Sequence, residues 1–221
     1  MKTNLKSEID FQRRGFTLIE LLVVISIIAV LAALIIPVAG SVARSRKIGV
    51  VKAEMETIKT ALENYKAKYG IYPPAAANAV TNQLFYELTG TTVNNANFVT
   101  LDGVYFIPTN NVSSLFGVGG FINCAKGSGE DAVSARNFLP GLKATQVATN
   151  TVGIAYLVTS VGGPDSIPQQ YEPLVNVVGN PFRYLYPGTN NPGSYDLWVD
   201  LRFSGKINRV SNWSAQTQII K

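Results

Sequence analysis

Glu20 carries the hardest chemistry in this chain to explain. It stands near the start of an apolar run from Phe16 to Ile36 in which the only other polar side chains are the hydroxyls of Thr17 and Ser26. A lone carboxylate at hydrocarbon depth is costly, so an acid in such a run marks a function rather than a plain anchor. Three states would relieve the cost: pairing with a cation, protonation, or a position near the helix end that reaches headgroup water. The other candidate acids, Glu130, Asp131, Asp165, Asp196 and Asp200, lie in scattered segments, and nothing in the sequence brings two of them together for acid–base work. The chain has no histidine, which removes His-based triads and the commonest zinc ligand. Cys124 is the only cysteine, so no intramolecular disulfide forms, and a buried or incidental thiol is the expectation.

The elements that must position Glu20 follow from the hydropathy pattern. Residues 16–36 suffice for a helix across a hydrocarbon core of about 30 Å. A secretory signal peptide has a shorter apolar region and a small-x-small cut site, whereas this run continues past Ala32 and Ala33 through Ile36 to Pro37. Charge does not orient it: Lys2, Lys6, Arg13 and Arg14 on one side are matched by Arg44, Arg46, Lys47 and Lys52 on the other. With 221 residues and 47% hydrophobic content, the remainder holds one modest domain with its own core. The formal charge of +5 is partly local to the leader, and no tract interleaves Lys/Arg with aromatics as a nucleic-acid groove would.

Beyond Pro37, the residues Ile48, Val51, Met55, Ile58, Leu62, Tyr65 and Tyr69 recur in steps of three and four, one stripe of an amphipathic helix. Lys52, Glu54, Glu56, Lys59, Glu63, Lys66 and Lys68 fill its other faces and read as solvated, or as contacts between subunits of a fibre. One long helix is therefore predicted from Phe16 to about Tyr69. Pro37 lacks an N–H and Gly40 lowers helix propensity, so a bend or local melting is expected over residues 37–40. Gly70 followed by Ile71-Tyr72-Pro73-Pro74 ends the helix. A short helix is expected over 82–88, an irregular insertion over 90–150, and strands at 153–160, 182–186, 195–201 and 206–210 separated by Gly, Pro and Asn clusters.

Arg13-Arg14-Gly15-Phe16-Thr17-Leu18-Ile19-Glu20 followed by an apolar run to Pro37 resembles the class III signal of type IV pilins and type II secretion pseudopilins. The resemblance implies that a membrane-embedded peptidase cuts between Gly15 and Phe16 on the cytoplasmic side and methylates the new amino terminus, with Arg13 and Arg14 part of the recognised leader. Glycine before the cut lets an extended backbone enter a protease cleft, and the basic residues hold the leader at an anionic surface. Cleavage would also create a cationic amine one helical turn from Glu20, available to its own chain or to a neighbouring subunit.

Gly179-Asn180-Pro181-Phe182-Arg183-Tyr184, Pro187-Gly188, Tyr195-Asp196-Leu197 and Asn212-Trp213 are similar to the C-terminal half of the major pseudopilin of type II secretion. One departure stands out. That family holds calcium in an acidic loop before the terminal Asn-Trp, whereas between Trp198 and Trp213 this chain offers Asp200 as its only acid, beside Arg202, Lys206 and Arg209. Calcium takes six to eight oxygens, usually several from carboxylates, so Asp200 is a weak candidate and no cofactor is expected. A direct hairpin, stabilised by packing of Trp198 and Trp213, is expected in place of the acidic loop.

Together these readings predict an α+β, pilin-like fold. It comprises a leader (1–15), a transmembrane helix (16–36), its amphipathic continuation (37–69) and a head (70–221) with a small antiparallel sheet packed on the long helix. The resemblance implies a structural, non-enzymatic subunit of a pseudopilus. Such a subunit has its N-terminus in the cytoplasm, a single pass through a bacterial inner membrane, and a periplasmic head, its filament lying in the periplasm or at the cell surface. Its partners would be copies of itself, minor pseudopilins, the prepilin peptidase, the inner-membrane assembly platform and the membrane. A type IV or minor pilin for adhesion, motility or DNA uptake, and a membrane-tethered binding module, are the alternatives.

Overall fold

The computed structural model describes residues 15–75, 79, 81–127, 133–161, 179–203 and 205–220, with side chains of 34–39 outside the described set. It forms an α+β chain with two compact units, Met1–Arg44 and Ser45–Lys221.

Helix α1 spans Leu18–Tyr69. In its second half the predicted stripe is the core face: Val51, Met55, Ile58, Leu62 and Tyr65 are each at most 3% exposed, and Ile48 and Tyr69 pack against them. Burying each such large apolar side chain stabilises the fold by roughly 1.5–3 kcal/mol, so the stripe holds this part of α1 on the head. Gly70 ends the helix with φ +78°, its N–H reaching the Lys66 carbonyl at 2.7 Å. A residue with a Cβ would resist that left-handed conformation.

Two expectations about α1 need correction. Of the bend or local melting expected over 37–40, the melting does not occur: the backbone stays helical across Pro37 and Gly40. A proline removes one N–H from the ladder, and the helical hydrogen bonds before and after it carry the segment through. The charged residues are also less idle than a solvated face implies. Glu54 accepts from the Thr159 hydroxyl at 2.6 Å and from the N–H and hydroxyl of Ser160. Lys52 donates to the Ala215 carbonyl at 2.9 Å, and Glu63 accepts from the Tyr72 hydroxyl at 2.9 Å. The ion pair on this surface joins Lys59 to Glu56 at 2.8 Å.

The largest difference from expectation lies in residues 90–150. After α2 (Leu84–Thr89) the chain forms β1 (Thr91–Asn94), β2 (Asn97–Thr100), β3 (Phe106–Pro108), α3 (Thr109–Phe116) and β4 (Cys124–Ala125), with sheet order β3-β2-β1-β4. The Thr/Asn-rich composition suggests loop, but the threonines take strand positions, with Thr91 and Thr100 buried in register opposite each other. Asn95 adopts the left-handed conformation (φ 53°) in the two-residue turn between β1 and β2.

β5 (Val147–Thr149), β6 (Ala155–Thr159) and β7 (Asn180–Pro181) form a second sheet. β8 (Arg183–Leu185), β9 (Asp196–Phe203), β10 (Lys206–Ser211) and β11 (Ser214–Ile220) form a third, antiparallel throughout in the order β11-β10-β9-β8. β11 lies beyond the predicted strands because Ser-Ala-Gln-Thr-Gln lacks an apolar alternation; its strand form comes from pairing with β10. The hairpin residue Asn212 ties the sheet together, its amide accepting from Leu197 N–H at 2.9 Å and donating to the Tyr195 carbonyl at 2.8 Å. Trp198 and Trp213 pack edge to face at 5.6 Å, as the hairpin reading expects.

Candidate functional site

The candidate site is the start of α1. Thr17 stands just before the helix and Glu20 at its third position. The Thr17 N–H donates to Glu20 Oε2 at 2.9 Å, the Thr17 hydroxyl donates to the same oxygen at 2.6 Å, and the Glu20 N–H donates back to Thr17 Oγ1 at 3.3 Å. This is a reciprocal capping box, which satisfies N–H groups that a helix start otherwise leaves without partners. It also places the carboxylate at the positive end of the helix dipole. Glu20 thus has donors within its own chain, independent of any amine made by cleavage.

Sequence reasoning singled out Glu20 and treated Thr17 only as a tolerated hydroxyl. The signal for their partnership was the Thr-x-x-Glu spacing before an apolar run. The other polar side chain of the run is handled the same way, with the Ser26 hydroxyl donating to the Val23 carbonyl at 2.8 Å. Every polar side chain from Phe16 to Ala33 is thereby engaged within the helix, as an apolar environment demands.

The surrounding surface is apolar on all sides. Phe16, Leu18 and Ile19 are 78%, 81% and 64% exposed, and the large residues through Leu31 remain about half exposed or more. A helix apolar all round requires a cover of lipid or protein. Among the described residues, however, no helix is long and apolar enough to cross a membrane, and side chains 34–39, which complete the apolar run, lie outside that set.

Gly15 precedes the helix with open space where a Cβ would stand. Nothing among the described residues demands glycine there. Arg13 and Arg14 lie outside the described residues, as do Glu130, Asp131 and Asp165.

The remaining described candidates each have partners of their own within the head. Asp200 is 2% exposed, and both its oxygens meet Arg209: Nε–Oδ1 at 2.8 Å and Nη2–Oδ2 at 2.9 Å. Asp196 accepts from the backbone N–H groups of Asn190 (2.8 Å) and Asn191 (3.0 Å), pinning the loop after the Tyr186-Pro187 turn. No group of three His, Cys, Asp or Glu gathers among the described residues. Cys124 is buried at 1% exposure.

A further acid escaped notice in the sequence. Glu87 on α2 is fully buried and accepts from the Tyr65 hydroxyl and from the N–H groups of Ile122 and Asn123, each at 2.9 Å. Burial pushes its carboxyl above the ordinary value, with those hydrogen bonds opposing the shift.

Residues 10–36 match the prokaryotic N-terminal methylation motif. The chain is 42% identical over 62 residues to type II secretion system core protein G of Pseudomonas aeruginosa, covering 28% of this chain and 44% of that protein. It is 36% identical over 92 residues to the fimbrial protein EcpB of Eikenella corrodens, covering 40% of this chain and 58% of that one. The chain thus spans about half the length of the curated relatives it matches. No solved structure matches it. The chain bears the prepilin-type N-terminal signature implied by the residues from Arg13 to Glu20.

Proposed function

We propose that this chain is a structural subunit of a pilus-like filament, cut between Gly15 and Phe16, methylated on Phe16 and assembled from the inner membrane. The observation that carries this reading is the methylation motif over 10–36 together with its geometry: a glycine with open space around it among the described residues, followed by a helix start that is capped by Thr17 and Glu20 and otherwise apolar. In the membrane, lipid covers the exposed residues of α1; in the filament, neighbouring subunits cover them. The head stays outside, and the role is structural rather than enzymatic.

Within that class we assign the subunit to a type II secretion pseudopilus that helps drive protein export, working with the prepilin peptidase, the assembly platform, minor pseudopilins and copies of itself. The similarity to a secretion core protein supports this. The longer matched stretch in a fimbrial protein favours a second reading, a type IV pilin or minor pilin.

Mass spectrometry of the mature chain tests the processing. N-methyl-Phe16 at the amino terminus is expected; an intact Met1 or a cut after the apolar run would overturn it. Replacing Gly15 by a bulky residue should block processing, and Glu20→Ala should leave a processed, membrane-inserted subunit that assembles poorly. Deleting the gene should stop export of folded proteins under the secretion reading, and should abolish surface fibres with export intact under the fimbrial one.

A further inference from the structure

Glu87 is a buried acid for which the filament reading supplies no role. Its carboxylate joins three parts of the head: α2, which carries it; α1, through Tyr65; and the chain before β4, through Ile122 and Asn123. Asn123 extends the junction, donating to the Glu87 and Arg136 carbonyls at 2.7 Å and accepting from Arg136 N–H at 2.8 Å and the Tyr69 hydroxyl at 2.7 Å. Lys68 adds a bond to the Ser134 carbonyl at 2.7 Å. The polar bonds of the stretches 121–127 and 133–138 to this junction thus centre on one acid and one amide, beside the packing of Phe138 on the Tyr65 and Tyr69 rings.

No cation pairs with Glu87 among the described residues. The titratable groups facing this junction are the phenols of Tyr65 and Tyr69 from α1, Tyr184 from β8 and the thiol of Cys124 from β4. Arg136 meets Asn123 through its backbone, while its guanidinium lies over the Phe138 ring at 5.6 Å. A buried charge without a counter-charge is costly, and protonation removes that cost. The Tyr65 hydroxyl can reverse to accept from a protonated carboxyl, keeping the junction bonded.

We propose that Glu87, Tyr65 and Asn123 form an acid-tightened clamp holding the chain around Cys124 against α1. This inference does not depend on the filament reading. Its sign follows from linkage. In the closed clamp Glu87 holds its proton above the ordinary carboxyl value of 4.5, whereas in the opened clamp the carboxyl meets water. Closure is therefore favoured at low pH and weakens as pH rises through the closed-state titration, by at most about tenfold per pH unit for one proton.

Cys124 supplies the readout, being the only cysteine and buried at 1% exposure. The full chain in detergent is labelled with a maleimide across about pH 5 to 8, and each rate is divided by that of the urea-unfolded chain at the same pH, which removes the thiol's own titration. Protection should fall with rising pH and then level off. In Glu87→Gln it should be lower throughout and lose this slope, because the amide nitrogen would face a backbone N–H. In Tyr65→Phe it should also be lower, with the slope retained. Flat protection in the natural chain, or an unchanged slope in Glu87→Gln, overturns the clamp. Should the Gln variant fail to fold, titration of the Glu87 carboxyl carbon by NMR in the natural chain decides: a midpoint above 4.5 is expected, and one at or below it overturns the proposal.

Discussion

Asp200 is where a calcium reading and an ion-pair reading of the C-terminal sheet make opposite predictions. Asp200 on β9 stands in register with Arg209 on β10, and the two make a bidentate pair with the carboxylate 2% and the guanidinium 25% exposed. The guanidinium also lies over the Trp198 ring at 5.4 Å. Asp200→Asn replaces one acceptor by an amide donor that faces the guanidinium, so one charge-assisted bond is lost and the other is weakened. Hydrogen bonds to charged groups contribute about 1.5–3 kcal/mol each, and the quarter exposure of Arg209 lets water recover part of that. A loss of about 2 kcal/mol is expected, a large share of the roughly 5–15 kcal/mol that holds a domain together. Urea unfolding of the detergent-solubilised chain, followed by Trp198 and Trp213 fluorescence, measures it. Combining Asp200→Asn with Arg209→Gln should give a coupling of about 1–2 kcal/mol. A calcium ion would have to displace the guanidinium from both oxygens, so the midpoint should be equal in calcium and in chelator. A coupling below about 0.5 kcal/mol, within ordinary additivity, would refute the pair. A calcium-dependent midpoint that disappears in Asp200→Asn would restore the metal.

Gly49→Ala should raise head stability by about 0.5–1 kcal/mol in the same assay, because the position is helical with nothing within 4 Å of the added Cβ. If filament yield falls while the fold gains, a neighbouring subunit approaches the helix there. Gly188→Ala should cost about 1–3 kcal/mol, the usual range for overpacking, since its Cβ would lie 2.7 Å from Asp196 Oδ1 and 2.9 Å from Asp196 N; Gly141→Ala, in open space, is the control. Thr17→Val should weaken the first turn of α1 by about 1 kcal/mol, whereas Glu20→Gln keeps an acceptor for Thr17 and removes only the charge. Filament yield normalised to processed subunit separates the two roles, and equal yields in both variants would deny Glu20 a part as a charge.

The sequence revealed interactions that stay close along the chain and concealed those that do not. Val51, Met55, Ile58, Leu62 and Tyr65 announce their common face by spacing alone, and Gly70 announces the helix end, because both depend on residues within a turn or two. Glu54 looks like its solvated neighbours until Thr159 and Ser160 arrive from more than a hundred residues away. Glu87 is less legible still, since two of its three donors are backbone N–H groups that carry no residue identity. Residues 90–150 misled for another reason: Thr and Asn serve loops and strands alike, and register with a partner decides between them. β11 repeats the lesson, a polar strand made by the β10 edge beside it.

The capping box changes what the position of Glu20 implies. A carboxylate in an apolar run first suggests a missing cation, and cleavage after Gly15 would supply one on Phe16. The Thr17 hydroxyl and N–H already hold Glu20 Oε2, so the acid is supported before any cut is made. Under the proposed processing, an uncut chain would wait in the membrane with its helix start capped and every described polar side chain of the run bonded within its own chain. The new amine would then add to a carboxylate that is already oriented, rather than having to rescue an exposed charge. Orientation before pairing lowers the entropy that pairing must overcome, and it gives Thr17 a share in any selection that acts on Glu20.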